Sequence, residues 1–185
     1  REGVNFSNGD PLTAEDVAFS VGLHKDPATQ SVAMTEALNV TEAKVVDPQT
    51  VEFTLDAPWA GFPALLAGTV GEVIPQKAFE AAGPEKWATE PIGAGAFVLE
   101  SYIPNQEVVL KPNPEYYDGP VCPTLEFIRI PGSQGTYDAF QTGELQVGVL
   151  RGAKFVSEAK SDGTQGFEEI ISAGSIINMS SGKSG

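Results

Sequence analysis

Few residues in this sequence could perform nucleophilic or metal chemistry. The 185-residue chain contains one histidine, His24, and one cysteine, Cys122. A catalytic triad needs a histidine beside a nucleophile and an orienting acid, and a structural zinc site needs several nitrogen or sulfur ligands together. His24 has no such neighbours in the sequence, and we expect it at the surface, at the end of a helix. A single cysteine excludes an internal disulfide and any site built from several thiolates.

Two glycine-containing stretches could bind phosphate, but neither has the required context. Gly182-Lys183-Ser184 matches the end of a phosphate-binding loop, whereas Ile177 stands where that motif requires its first glycine. The GAGAF segment at residues 93–97 has two glycines of a dinucleotide fingerprint, yet it precedes a predicted strand instead of following one. The sequence therefore disfavours nucleotide binding, and we expect no cofactor and no metal.

Paired acids and aromatic rings are the remaining candidates for chemistry or ligand contact. The pairs Glu15-Asp16 and Glu168-Glu169 point in different directions on a helix or strand, so adjacency is no evidence for a shared acid–base site. Aromatic rings can stack on a ligand, but rings beside prolines or at strand ends more often pack against the protein. The aromatic candidates are Trp59, Trp87, Tyr116 and Tyr117.

The charge balance disfavours partners that need a basic surface. Eleven Lys and Arg residues against 25 Asp and Glu residues give a formal charge of −14 at pH 7. Such a field repels nucleic acid and anionic membranes unless basic residues cluster, and here they are scattered. No apolar run approaches the roughly 20 residues that a membrane-spanning helix needs. The chain starts at Arg1 without a signal peptide, which we interpret as a cut end.

The first element that could position functional side chains is a helix after the segment NGDPL. Thr13 is a suitable N-cap, whose hydroxyl we expect to accept from a backbone N–H of the first turn. Glu15 and Asp16 place negative charge where the helix dipole favours it. Apolar residues then follow at the i, i+3, i+4, i+7 spacing of one buried face, and Lys25-Asp26-Pro27 ends the run.

The rest of the chain alternates hairpins with short helices. One hairpin turns at Asp47-Pro48-Gln49, and a second spans residues 96–117. Further strands are predicted at residues 73–75, at 124–130 and, buried, at 145–150. Short helices are predicted within residues 31–40, 61–68, 76–83 and 134–143. Because no regular βαβ repeat is present, we predict an α+β (mixed α/β) fold.

Five blocks of sequence follow one another along nearly the whole chain. They are REGVNFSNGDPLTAEDVAFSV, TVEFTLDAPWAGF, VIPQKAFEAAG, EPIGAGAFVLESYIPNQEVVLKPNPEYYDG and TYDAFQTGELQV. In this order and spacing they resemble the extracellular solute-binding proteins of family 5, the receptors of peptide, nickel and related ABC importers. In that family the first block begins a helix of the smaller subdomain, which implies a scaffold element without a catalytic role.

The resemblance implies part of a bilobed, periplasmic-binding-protein-like clamshell. Residues 1–89 would form the smaller α+β subdomain of the first lobe, and residues 90–185 part of the main first lobe. The Pro- and Gly-rich crossing at residues 84–95 would lie between them. Family members are considerably longer, which implies that this chain is an internal fragment and that the second lobe is absent from it.

The resemblance further implies a function without covalent chemistry. The chain would belong to the substrate-binding component of an ABC importer, which captures oligopeptides or a related small solute outside the cytoplasmic membrane and delivers it to a permease. We expect a periplasmic or extracellular monomer, with a lipid anchor on the full-length protein as an open alternative. Metal chelates, sugars and opines stay open as ligands. The competing hypotheses are a carboxylate-dependent extracellular hydrolase and a structural or adhesive extracellular module.

Ligand contacts are expected in two places along the chain. By the resemblance, SIINMS contains a strand that ends at the cleft edge, where the Asn178 amide could donate to and accept from a ligand backbone. Ile177 and Met179 would then lie on alternate faces of that strand. An asparagine that only caps a strand or turn is the alternative for Asn178. The other expected ligand-contacting residues are Ser31 and Met34, which follow the first helix.

Overall fold

The computed structural model describes residues 1–119, 121 and 124–161. The chain divides into two units, Arg1–Arg129 and Ile130–Gly185. Helices and strands follow one another without a regular repeat, which confirms the predicted mixed content of helix and strand. Within the described ranges, no helix is both long enough and apolar enough to cross a membrane.

The described residues form four α-helices and five strands in the first unit and two α-helices in the second. The helices are α1 (Ala14–Lys25), α2 (Met34–Ala37), α3 (Phe62–Leu65), α4 (Gln76–Trp87), α5 (Gly132–Gln141) and α6 (Ala153–Ser161). The strands are β1 (Val40–Asp47), β2 (Thr50–Leu55), β3 (Phe97–Ile103), β4 (Glu107–Pro112) and β5 (Leu125–Ile128).

Helix α1 begins where the sequence predicts, because Thr13 and Asp16 form a capping box. The Thr13 N–H and the Thr13 hydroxyl both donate to Asp16 Oδ2, at 2.9 and 2.8 Å. Asp16 is only 8% exposed, and its Oδ1 accepts from the Gln76 N–H at 2.9 Å. One buried carboxylate therefore joins the first turn of α1 to the first residue of α4.

Helix α1 makes a second contact, through Ser20, with residues 73–75, where a strand was expected. The Ser20 side chain is buried one turn after Asp16, and its hydroxyl donates to the Asp16 carbonyl oxygen at 2.6 Å. The same hydroxyl accepts from the Ile74 N–H at 2.8 Å. Because the backbone of Ile74 is bonded to a side chain and not to a neighbouring strand, the strand predicted at residues 73–75 is wrong.

Strands β1 and β2 form the predicted antiparallel hairpin. Val45 lies opposite Val51 and Ala43 lies opposite Phe53, so the two strands have their alternating apolar positions in register. Helix α1 packs against both strands. The Phe53 ring also contacts Phe62 of α3 edge to face, with 5.4 Å between centroids. The hairpin is therefore fixed to the helices on both sides of it in the sequence.

The turn of this hairpin carries a prediction about the titration of Asp47. Asp47 Oδ1 accepts from the Gln49 N–H at 2.8 Å, and this bond and one from Thr50 lower the pKa of Asp47 below its ordinary value of 3.8. The contact therefore stabilises the folded state above that ordinary value, and the stabilisation is lost as pH falls through the folded pKa. NMR titration of the Asp47 carboxyl should give a midpoint below 3.8, and a midpoint above 3.8 would contradict the hydrogen-bonded turn.

Strands β3, β4 and β5 form an antiparallel sheet with β4 in the centre. The buried Asn113 holds one end of this sheet, since its Nδ2 donates to the Gly95 carbonyl at 2.8 Å and its Oδ1 accepts from the Glu115 N–H at 3.0 Å. Its backbone N–H also donates to the Ala96 carbonyl at 2.9 Å. The glycine-rich segment before β3 is therefore a tight crossing fixed by one amide, as its sequence suggests.

The N-terminal loop contacts residues on the far side of the predicted boundary at residues 89–90. The Ser7 N–H donates to the Gly93 carbonyl at 2.8 Å, and Asn5 Nδ2 donates to Glu115 Oε2 at 3.3 Å. Phe6 lies between these two bonds in the sequence and is 1% exposed. Both sides of the boundary therefore belong to the first unit, and the assignment of 1–89 and 90–185 to parts of a lobe stays a prediction.

In the described part of the second unit, α5 corresponds to the predicted helix. Gly143 follows it with φ of 79°, a conformation that favours glycine and ends helices. The Tyr137 ring of α5 lies 6.4 Å from the Phe155 ring of α6. The buried strand predicted at residues 145–150 is wrong, because Val147 and Val149 are exposed and pair with no strand among the described residues.

Candidate functional site

The connection between α1 and β1 contains two of the residues expected to contact a ligand. Asp26 Oδ1 accepts a backbone N–H two residues later, at 2.9 Å, and a 3₁₀ turn follows at Pro27–Thr29. Gln30 then adopts the left-handed conformation with φ of 51° and reverses the chain. Ser31 comes directly after this reversal, and Met34 is the first residue of α2.

Ser31 is held by His24, the residue expected at the surface. His24 Nδ1 lies 2.7 Å from Ser31 Oγ, and the same oxygen accepts from the Ala33 N–H at 3.2 Å. His24 is only 9% exposed, so the surface expectation is wrong: the chain reverses after α1 and packs back against that helix. Among the described residues, nothing forms a hydrogen bond with the buried His24 Nε2.

Small residues attach α2 to the interior of the first unit. Ala33 and Ala37 are 5% and 0% exposed, and they form a core cluster with Val70. Leu65 and Leu66, at the end of α3, pack against this cluster. Helix α2 is therefore held by its contacts with α1 and by this cluster, to which the 3₁₀ turn at Thr69–Gly71 contributes Val70.

The outer side of the same segment carries apolar side chains. Met34 is half-buried, whereas Val32 and Leu38 are 89% and 55% exposed. The sequence analysis singled out Met34 but neither Val32 nor Leu38. The signal that could have found them is the spacing of Ala33 and Ala37, since small residues four apart predict one buried side of a helix and leave the neighbouring positions outside.

The loop between β2 and α3 is anchored to this segment at both ends. Before the loop, the Asp56 N–H donates to the Asn39 carbonyl at 3.0 Å. After it, α3 ends at Leu65, which packs against the cluster of Ala33, Ala37 and Val70. Trp59 lies on the loop between these anchors and is 41% exposed. Val32, Leu38 and Trp59 are therefore exposed apolar side chains on this segment and on the loop that is anchored to it.

The three other aromatic candidates are engaged within the fold. The Trp87 ring contacts Phe79 edge to face, with 5.4 Å between centroids. The rings of Tyr116 and Tyr117 lie 4.7 Å apart, and the Arg1 guanidinium lies 4.2 Å from the centroid of Tyr117. The hydrogen bond with Tyr117 raises the pKa of Tyr116 above its ordinary value of 10.0. Packing within the protein is therefore confirmed for Trp87, whereas Tyr117 contacts Tyr116 and Arg1 and is 47% exposed.

A second open surface lies at the turn between β3 and β4. It is a depression of about 260 Å³, bordered by the exposed rings of Tyr102 and Phe127. Arg129 at its edge donates from Nη1 to Asn105 Oδ1 at 2.9 Å. That bond uses one of the five N–H donors of the guanidinium, so the depression combines apolar rings with a cation at its edge.

The exposed side chains of these surfaces offer groups for non-covalent contact. In the part of the chain that the structure describes, no group of three His, Cys, Asp or Glu side chains could hold a metal ion. Val32 and Leu38 offer exposed aliphatic side chains, Trp59 offers an exposed indole, and Ser31 offers a hydroxyl. Such groups can bind a solute by removing its apolar surface from water and by hydrogen bonding to it.

Three of the expected ligand-contacting residues lie outside the described residues. They are Ile177, Asn178 and Met179. Cys122 and the Gly182-Lys183-Ser184 segment lie outside them as well. The roles assigned to these residues therefore stay predictions.

Comparison with known proteins gives a family for the sequence. Residues 1–181 match the model of the bacterial extracellular solute-binding proteins, family 5 Middle. Protein XP55 of Streptomyces lividans is 31% identical over 166 residues, which cover 88% of this chain and 30% of that protein. The periplasmic oligopeptide-binding protein OppA of Salmonella typhimurium is 28% identical over 169 residues, which cover 80% of this chain and 31% of OppA.

Solved structures agree with the sequence comparison. The binding protein MoaA from A. tumefacien R10, in complex with mannopinic acid, superposes with a TM-score of 0.78 at 30% identity. The match covers 88% of this chain and 33% of MoaA. The chain thus spans about a third of the length of each of these three proteins. Since the family model matches nearly every residue, the chain belongs to the bacterial extracellular solute-binding proteins, family 5.

Proposed function

We propose that this chain is part of the substrate-binding component of an ABC importer, which captures an oligopeptide or a related small solute outside the cytoplasmic membrane. The observation that carries the proposal is the family match over residues 1–181. The relative named as a periplasmic oligopeptide-binding protein supports a peptide as the first ligand to test. Delivery to a membrane permease, and a periplasmic or surface-anchored monomer as the active form, belong to the same proposal.

The proposal includes a longer parent protein with two lobes. The relatives are about three times as long as the part that matches this chain. In the proposed parent, residues 1–89 form the smaller subdomain and residues 90–185 part of the main first lobe. A second lobe then closes over the solute by a hinge motion, and each lobe supplies part of the site.

The first lobe is proposed to contact the solute through Ser31, Met34 and the SIINMS segment with Ile177, Asn178 and Met179. The hydrogen bonds of Ser31 are compatible with this role. A serine hydroxyl has one donor and two acceptor positions, and the contacts with His24 and with a backbone N–H use two of the three. One position is left for a solute, and His24 fixes the direction in which the hydroxyl offers it.

The solute class is proposed from the relatives' names and from the character of the described surface. OppA is named for oligopeptides, whereas MoaA holds mannopinic acid, so relatives of similar identity differ in their ligands. The apolar side chains near Ser31 favour a solute with apolar groups over a fully hydrated one. We therefore place oligopeptides first and opines second.

Native mass spectrometry of the parent protein tests this function. A mixture of di- to pentapeptides is added, and the bound species are identified after unbound peptides are removed. We expect a bound peptide with unchanged mass, because the proposed function includes no covalent step. Shortened peptides would support the hydrolase hypothesis. Retention of no peptide, with mannopinic acid retained from a parallel incubation, would contradict the peptide assignment and support an opine.

A further inference from the structure

The hydrogen bond between His24 and Ser31 decides what the serine can offer to a solute. His24 Nδ1 lies 2.7 Å from Ser31 Oγ. A neutral imidazole has one nitrogen that donates and one that accepts, so Nδ1 either donates to the serine oxygen or accepts from its O–H. The two arrangements leave different parts of the hydroxyl available.

The backbone of Ala33 occupies one of the two acceptor positions of the Ser31 oxygen. The Ala33 N–H donates to Ser31 Oγ at 3.2 Å, and Ala33 is fixed in the core cluster with Ala37 and Val70. If His24 Nδ1 also donates, both acceptor positions are used and only the serine O–H is left. If Nδ1 accepts, the O–H is used and one acceptor position is left.

The second nitrogen of the His24 ring distinguishes the two arrangements. His24 is 9% exposed, and its buried Nε2 has no hydrogen-bond partner among the described residues. If Nδ1 accepted, Nε2 would carry the proton as a buried N–H without an acceptor. Such N–H groups are rarer in folded proteins than acceptors that lack a donor, because the lost contact with water is not replaced. The burial of Nε2 therefore favours the tautomer in which Nδ1 carries the proton.

We propose that His24 is a positioning residue that donates from Nδ1 to Ser31, so that Ser31 presents only its O–H to the solute. Ser31 then selects an acceptor oxygen over an N–H group. In a peptide this acceptor is a backbone carbonyl or the C-terminal carboxylate. This inference rests on the proposed function, because it assigns the chemistry of Ser31 within the proposed solute site.

The ring tautomer can be measured directly, because His24 is the one histidine of the chain. In the chain labelled with isotopic nitrogen in histidine, long-range proton–nitrogen spectra distinguish a ring nitrogen that carries a proton from one that does not. In mildly alkaline solution, where an imidazole is neutral, we expect the proton on Nδ1 and none on Nε2. A proton on Nε2 would overturn the inference.

The same spectra of the parent protein with a retained peptide report what the peptide offers to Ser31. The His24→Gln parent lacks the His24 signals and so identifies them. A peptide oxygen that accepts from Ser31 leaves the ring proton on Nδ1, which is the expected result. A peptide N–H that donates to Ser31 Oγ would turn the serine O–H towards Nδ1 and move the ring proton to Nε2, which would overturn the inference.

Calorimetry on the parent with that peptide measures the contact itself. We expect Ser31→Ala to weaken binding about tenfold, and Ser31→Thr, which keeps the hydroxyl, to weaken it less. Ser101→Ala, at a half-buried serine of β3, is the matched control and should bind as the parent does. With a C-terminally amidated copy of the peptide, loss of the Ser31→Ala effect would identify the carboxylate as the acceptor, and persistence of the effect would identify a backbone carbonyl.

The inference and the proposed function fail in different ways. Unchanged affinity in Ser31→Ala would overturn the inference even if the parent binds peptide. Retention of no peptide by the parent would contradict the proposed function, whereas a proton on Nε2 in the peptide-free chain would contradict the inference alone.

Discussion

Replacing Asp16 by alanine is expected to lower the free energy of unfolding of this chain by about 3 kcal/mol. The carboxylate is buried and accepts from the Thr13 N–H, the Thr13 hydroxyl and the Gln76 N–H at 2.8 to 2.9 Å. Its loss removes the cap of α1 and leaves the first N–H of α4 without an acceptor in a poorly hydrated place. Urea unfolding followed by circular dichroism measures the difference.

Glu15→Ala is the matched control for Asp16. Glu15 stands in the same turn and also places negative charge there, but it is exposed and outside the contact with α4. Its replacement should lower the free energy of unfolding by no more than about 0.5 kcal/mol. If Asp16→Ala costs as little as Glu15→Ala, the carboxylate does not join the two helices in solution.

The second large effect is expected for Asn113→Ala, which should lower the free energy of unfolding by about 2 kcal/mol. The side-chain amide bonds the Gly95 carbonyl before β3 and the Glu115 N–H after β4, and Asn113 is 4% exposed. Removing the amide leaves two backbone groups without their partner at the tight crossing. The expected result is a lower urea midpoint with an unchanged dependence on urea concentration.

Asn39→Ala provides the comparison for Asn113. Asn39 is half-buried, and its amide donates from Nδ2 to the Glu36 carbonyl at 3.1 Å. We expect this variant to lower the free energy of unfolding by less than about 1 kcal/mol. Equal losses in the two variants would show that burial and the number of bonds do not determine the role of Asn113.

The sequence predicted those helices and strands whose caps, turns and apolar spacing lie within one short stretch of the chain. Helix α1 has its cap and its periodic apolar positions within one stretch, and the hairpin has alternating valines around Asp47-Pro48-Gln49. Gly83 interrupts α4 with φ of 76°, as predicted, but helical residues resume at Pro84 and continue to Trp87. Proline is tolerated in the first turn of a helix, so the resumption is consistent with local chemistry.

Contacts between distant residues could not be predicted from the sequence. Asp16 was expected only to complement a helix dipole, whereas the fold brings Gln76 to its second oxygen. His24 was expected at the surface because nothing local indicates that Ser31 returns to it. The apolar alternation at residues 145–150 predicted a buried strand, but burial requires a neighbouring strand that the described residues do not supply.

The expected ligand contacts stay predictions, and only part of their surroundings could be read from the sequence. Ser31 and Met34 were expected to contact a ligand, and this role stays a prediction; the structure places them on a segment with exposed apolar neighbours. The exposure of Val32 and Trp59 depends on how the short helices α2 and α3 and the loops beside them pack, which sequence periodicity over such short helices does not determine. Ile177, Asn178 and Met179 still await a test.

Calorimetry on the parent protein and on this 185-residue chain, with the same retained peptide, tests the central claim most directly. If the chain is one part of a two-lobed binding protein, it lacks the enclosure that removes most of a solute's surface from water. We expect micromolar binding by the parent and no binding tighter than about millimolar by the chain alone. Micromolar binding by the isolated chain, or equal affinities of the chain and the parent, would contradict the account.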